Sequence, residues 1–100
     1  MYLNAFKAAG VRPDIGQSLA WDPALLIIAA LRKLGPGATS DQIRSYINDQ
    51  KNWAEVNGVY NFAAMPQRGV GLNSIVITKW DPAKDTWVGV SDLGGMPLKK

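Results

Sequence analysis

The side chains that most often do chemistry are sparse in this sequence, and two kinds are missing altogether. There is no histidine and no cysteine. Thiolate and imidazole metal sites, cysteine nucleophiles, Ser–His triads and disulfide scaffolds are therefore excluded. Carboxylates remain, among them Asp22, Asp41, Asp49, Glu55, Asp81, Asp85 and Asp92. No two of them have a spacing that sets them across a cleft for acid–base work. Most stand at cap and turn signals, where a carboxylate has a structural task. Gly69-Val70-Gly71 is an isolated glycine pattern with no helix after it, so it forms no phosphate cradle. The expectation is a protein that is not an enzyme and carries no cofactor or metal. What is left for recognition is hydrogen bonding and aromatic packing, from residues such as Gln17 and the four tryptophans, Trp21, Trp53, Trp80 and Trp87.

Charge gives no further lead. Eleven Lys and Arg face eight Asp and Glu, a net charge of +3. Apart from Arg32-Lys33 and Lys99-Lys100 no basic residues are adjacent. A nucleic-acid binder concentrates such residues on one face; here they read as ordinary solvated charge, so no nucleic acid is expected as a partner. The absence of cysteine suits an oxidising compartment such as a periplasm, though many cytosolic proteins lack it too. The longest apolar run, Ala24 to Leu31, is eight residues, far short of the roughly 20 a membrane helix needs. Met1 to Asn4 opens no signal peptide, so the targeting segment of an exported protein would lie outside this chain. Hydrophobic residues make up 47% of 100 residues, enough for one compact core and little more.

Three helices must position whatever site exists. Leu3, Phe6 and Ala9 recur at helical spacing up to a stop at Gly10, followed by a loop from Val11 to Gly16. From Gln17 to Leu34 runs the strongest helix, with Leu25, Ile28, Leu31 and Leu34 on one face. Leu26, Ile27 and Ala30 extend the apolar surface around it. Such a helix is usually buried between two layers. Pro23 allows two readings: Asp22 as N-cap with Pro23 as first helical residue, or an earlier turn from Gln17 to Trp21 bent at Pro23. Gly35-Pro36-Gly37 stops the helix. Thr39-Ser40-Asp41-Gln42 has the form of a capping box, starting a helix with Ile43, Tyr46 and Ile47 on one face that ends near Gln50.

The pattern then turns to strand. Asn57-Gly58 is a turn signal, and Val59, Tyr60 and Phe62 are β-formers. A loop covers residues 63 to 71. Ser74 to Trp80 reads as a strand paired with Thr86 to Val90 across an Asp81-to-Asp85 turn, with Trp80 and Trp87 as a cross-strand pair. Leu93 to Lys100 trails off. The helices have no strands between them, so the 24–34 helix lacks the partner layer its composition asks for.

Taken in order, these segments resemble the C-terminal end of the type I periplasmic solute-binding proteins, the branched-chain amino-acid family of ABC transporters (extracellular ligand-binding receptors). Ala20-Trp21-Asp22-Pro23-Ala24-Leu25 through Leu31 is similar to the family's A-Y-D-A-V-x-x-L-x-x-A-L helix. Thr39 to Ile43 is similar to its T-x-x-x-I helix start, Val56 to Phe62 to its V-x-G-x-Y-x-F strand, and Lys79-Trp80-Asp81 to its final hairpin. Departures are Pro23 in place of the usual alanine, and Ala63 to Gly69 in place of a short turn after the phenylalanine. They point to a subfamily.

The resemblance implies an α/β chain, the closing part of a two-lobed fold: residues 1–56 as first-lobe helices, 57–100 as a hinge crossing and second-lobe strands. It implies capture of a small solute, an amino acid or related organic acid, between the lobes, and delivery to a membrane permease. A ligand holds such a clamshell shut only through its better affinity for the closed state. Gly16 and Gln17, with Trp21 one turn on, match positions that reach the cleft, although Trp21 reads first as core. Asn57 and Gly58 match the hinge. The location implied is periplasmic, and a segment so cut from its partner layers is expected to self-associate. A ligand-sensing regulator on the same fold, or an independent small interaction module, are the alternatives.

Overall fold

The computed structural model describes all residues, Met1 to Lys100. It is a small mixed α/β arrangement of three helices and two antiparallel hairpins. The chain divides into two compact units, Met1–Gly69 and Val70–Lys100. The division falls after Gly69, and the segment around Asn57-Gly58 belongs with the helices.

In the first unit, α1 spans Tyr2–Ala8 and ends before Gly10, whose φ of +68° is the left-handed stop that glycine provides without strain. Helix α2 spans Ile15–Leu34, starting two residues earlier than its apolar spacing predicts. The reason is Asp14, whose side chain caps the first turn while Gln17 reaches back to the Asp14 N–H, a reciprocal capping box. The helix does not begin with Asp22 as its N-cap; it runs through Pro23, in line with the reading that gives it an earlier turn before the proline. Proline there lacks the N–H that would bond the Leu19 carbonyl, and both Leu19 and Pro23 lie on the exposed side. The lost bond thus faces water.

The buried stripe of α2 also differs from the expected one. Ser18, Asp22, Leu26 and Ala30 are buried, spaced four residues apart. Leu25 and Leu31 are half-buried, and Ile28 and Leu34 are exposed. Hydrophobic periodicity picks out the widest apolar face, but the elements present in this unit cover the stripe that carries the two polar residues. Ile15, Leu19, Ile27, Ile28 and Leu34 are left open.

Helix α3 spans Ser40–Asn48 and is capped as its sequence predicts: the Gln42 N–H donates to Thr39 Oγ1 at 3.3 Å, and the Thr39 N–H to Gln42 Oε1 at 2.8 Å. Strand β1 spans Trp53–Glu55 and pairs antiparallel with β2, Gly58–Tyr60, so that Trp53 faces Tyr60 and Glu55 faces Gly58. Strand β1 escapes a reading that looks for runs of β-formers, since it is three residues long. Beyond β2 the loop from Asn61 to Gly69 closes on itself: the Asn61 N–H donates to the Gly69 carbonyl and the Gly69 N–H to that of Met65. Gly69 has φ +72°, and a Cβ built on it would lie 2.6 Å from Phe62 and 2.8 Å from Tyr60. It is a residue that must be glycine, so that the loop can close over the stacked Tyr60 and Phe62 rings.

In the second unit, β3 spans Thr78–Asp81 and β4 spans Thr86–Gly89, with Trp80 opposite Trp87 as predicted. The rings meet edge to face at 5.4 Å. The predicted strand from Ser74 is shortened. Leu72–Ser74 is a 3₁₀ turn, and Ile75 and Ile77 bond outside a regular ladder. The Ile77 N–H donates to the hydroxyl of Ser91 at 2.8 Å, and the Gly94 N–H donates to the Ile75 carbonyl at 2.8 Å. Segment 91–95 is thereby tied back, with a 3₁₀ turn at Leu93–Gly95 capped by Asp92, where the sequence alone predicts a loose end. The unit buries Ser91 and little that is apolar: Ile75, Val76, Ile77, Trp87 and Leu93 are all exposed.

Candidate functional site

The residues singled out from the sequence fall into two places in the first unit. Gly16, Gln17 and Trp21 lie together in the first two turns of α2. Gly16 is exposed, and no atom would lie within 4 Å of a Cβ placed on it. The side-chain oxygen of Gln17 is occupied, accepting the Asp14 N–H at 2.9 Å, while its Nε2 has no acceptor within the chain. Trp21, one turn on, is half-buried against α1. Its ring lies 5.2 Å from Tyr2, edge to face, and 6.3 Å from Phe6. The Tyr2 hydroxyl in turn donates to the Asp14 carbonyl at 3.2 Å, tying α1 to the start of α2. The indole Nε1 of Trp21 is buried and has no hydrogen-bond partner. Leaving such a donor unmade costs about 1–3 kcal/mol.

Asn57 and Gly58 lie at the β1–β2 turn, and what holds that turn is Asp22. With 1% of its surface exposed, Asp22 is the most deeply buried large side chain in the chain. Its Oδ1 accepts the Val56 N–H at 3.2 Å. Its Oδ2 accepts the Asn57 N–H, the Asn57 Nδ2 and the Tyr60 hydroxyl, each at 2.9 Å. A carboxylate has about four acceptor positions, so the group is fully used. No lysine or arginine pairs with it; the one ion pair in the chain is Lys84–Asp81 at 3.8 Å. Four converging donors take the place of a cation.

Asn57 is saturated as well. Its Nδ2 donates one proton to Asp22 and the other to the Ser18 carbonyl at 2.8 Å. Its Oδ1 accepts the Ser18 hydroxyl at 3.1 Å. That hydroxyl has a single proton, shared between Asn57 and the Ile15 carbonyl at 2.9 Å. Tyr60 feels the same environment. Burial first, then the hydrogen bond to Asp22 and its negative charge, push the phenol up to about 12. All three causes disfavour phenolate.

The sequence points to Asn57-Gly58 but not to Asp22, Ser18 or Tyr60 as its partners. A signal was present: Ser18 and Asp22 are one turn apart, in register with Leu26 and Ala30. A polar pair on an otherwise apolar stripe has to be hydrogen-bonded. The proline after Asp22 gives the local pattern of an N-cap, which masks that signal.

An open groove of about 570 Å³, lined by Met1, Tyr2, Leu3, Asn4, Glu55 and Val56, runs between α1 and the hairpin. No group of three acidic side chains converges as a metal site would require. No helix is long and apolar enough to cross a membrane. No family of known proteins, no curated protein and no solved structure matches the chain.

Proposed function

We propose that this chain is the closing segment of a two-lobed solute-binding protein of an ABC transporter, which captures an amino acid or related organic acid and hands it to a membrane permease. One observation carries the reading to a site. Gln17 and Trp21, one turn apart on α2, each bring an N–H with no acceptor within the chain, that of Gln17 near the open space over Gly16 and that of Trp21 buried against α1. Residues four apart share a helix face; Gln17 suits an acceptor-bearing solute such as a carboxylate directly, and Trp21 would join it once its packing on α1 opens. The remainder of the ligand's contacts would come from the rest of the protein. The order of elements, a long helix, a capped short helix, a V-x-G-x-Y-x-F hairpin and a terminal hairpin, supports the same reading. So does the apolar face of α2 left open at Ile15, Leu19, Ile27 and Ile28, which suits a helix that packs on a lobe sheet.

The test is thermal melting of the full-length protein against a panel of amino acids and small organic acids. A bound solute at one hundred times its Kd adds about 2.7 kcal/mol of stability. Gln17→Ala and Trp21→Phe are expected to weaken binding by about tenfold each, the equivalent of one hydrogen bond. If no solute raises the melting temperature, the transport reading fails. On the chain alone, analytical ultracentrifugation is expected to show self-association through the open α2 face. A monomer with one cooperative melt would instead favour an independent interaction module.

A further inference from the structure

Of the six asparagines in the chain, Asn57 is the one followed by glycine. An Asn–Gly pair is the sequence in which an asparagine most readily loses its amide, because glycine leaves the next backbone nitrogen unhindered. The nitrogen of Gly58 attacks Cγ of Asn57, giving its proton to solvent base. The Cγ–Nδ2 bond breaks and ammonia leaves. Water then opens the cyclic imide to aspartate or isoaspartate, so that one water is consumed and one ammonia released. The reaction needs the side chain of Asn57 to swing its Cγ onto the Gly58 nitrogen. In this fold that side chain is held at every polar position: both Nδ2 protons are donated, to Asp22 and to the Ser18 carbonyl, and Oδ1 accepts from Ser18. Its own backbone N–H is fixed by Asp22 as well.

We propose that Asn57–Gly58 is a spontaneous deamidation site held shut by Ser18 and Asp22, and that its conversion irreversibly releases the β1–β2 hairpin from α2. The irreversibility follows from the product. A carboxylate at position 57 has no proton for the Ser18 carbonyl, and it places a second negative charge against Asp22, where Nδ2 now stands 2.9 Å away. Like charges at that separation strongly disfavour each other. An isoaspartate also lengthens the backbone within the two-residue turn Val56-Asn57. Each opening of the lock thus carries a chance of permanent failure, and the chain ages from this turn.

The experiment is peptide mapping by mass spectrometry after incubation in mildly alkaline buffer, comparing the folded chain, the chain in denaturing urea, and two variants. Ser18→Ala removes one hold on Asn57, and Tyr60→Phe removes one hold on Asp22; each leaves the turn's other bonds in place. The folded wild type is expected to convert at least about tenfold more slowly than the unfolded chain, the ratio given by about 1.4 kcal/mol of local opening cost. Both variants are expected to convert faster than wild type while Asn73, which precedes serine, does not change. Converted molecules are expected to lose the amide-exchange protection of Val56 and Asn57. Equal rates in folded and unfolded chains, no acceleration in either variant, or converted molecules that keep that protection would each overturn the proposal.

Discussion

Replacing Asp22 by alanine tests how much of the first unit rests on one carboxylate. The substitution removes the acceptor of four hydrogen bonds at 2.9 to 3.2 Å. Two of the donors, the Asn57 side-chain amide and the Tyr60 hydroxyl, can rotate toward water. The backbone N–H groups of Val56 and Asn57 cannot, because the turn fixes them. Each backbone donor left unpaired costs about 1–3 kcal/mol, so the pair sets an expected loss of about 2–6 kcal/mol. Alanine is a good helix former, which rules out a compensating explanation from helix propensity. Against a total stability of about 5–15 kcal/mol for ordinary domains, this loss leaves the unit marginal or unfolded. Asp22→Asn keeps one oxygen but turns an NH₂ group toward the Val56 N–H, and is expected to cost about 2 kcal/mol. The assay is urea unfolding followed by tryptophan fluorescence, with the slope m checked for constancy. A loss under about 1 kcal/mol for Asp22→Ala, or an order of effects in which Asn is worse than Ala, would refute the assignment of Asp22 as the anchor of the turn.

Alkaline pH provides a second probe. The Tyr60 phenol titrates near 10 in the unfolded chain and near 12 in the folded one; the folded state therefore favours the neutral phenol. Its contribution to stability is complete below about pH 10 and is lost as pH rises toward 12. Tyr60→Phe is expected to flatten that part of the stability–pH curve, and an unchanged curve would count against the Asp22 contact. Gly69→Ala combines a strained positive φ with a Cβ 2.6 Å from the Phe62 ring; it is expected to cost about 2–4 kcal/mol, read as a fall in melting temperature, and an unshifted melt would refute the close approach. Thr39→Ala removes one half of the α3 capping box and is expected to cost about 1 kcal/mol, visible as faster amide exchange at Gln42. Unaltered exchange there would mean that the hydroxyl does not cap.

Helix starts and turns were legible where a local chemical rule decides them. Thr39 and Gln42 announced α3, Gly10 the end of α1, and Trp80 with Trp87 the final hairpin, because each feature needs only neighbours in sequence or one partner across a short turn. Helix α2 exposed the limit of that method. Its start depends on Asp14 and Gln17, a capping pair of Asp with Gln that is masked in the sequence by the loop signals of Pro13 and Gly16 around it. Its buried stripe is set by which elements stand against it, which apolar spacing does not encode. The candidate positions Gly16, Gln17, Trp21, Asn57 and Gly58 come from a resemblance in motif order; the structure sets the first three in the opening turns of α2 and the last two on the β1–β2 turn docked against that helix. What ties the turn to the helix is Asp22, whose place beside Pro23 suggests a cap and gives no hint of distant partners. A buried carboxylate satisfied by backbone N–H groups some 34 residues downstream leaves no mark in local pattern.

That separation also bears on the order in which the chain folds. The capped turns of α2 and α3 bond within three or four residues, and such local structure forms in about a microsecond or less. The Asp22 contacts span 34 to 38 residues, so they must wait until the intervening segment has closed, at an entropic cost that grows with loop length. Interactions that form late act on the unfolding limb of the kinetics. The anchor of the hairpin is then less a nucleus than a clasp: weakening it should leave the rate of folding nearly untouched while shortening the lifetime of the folded unit.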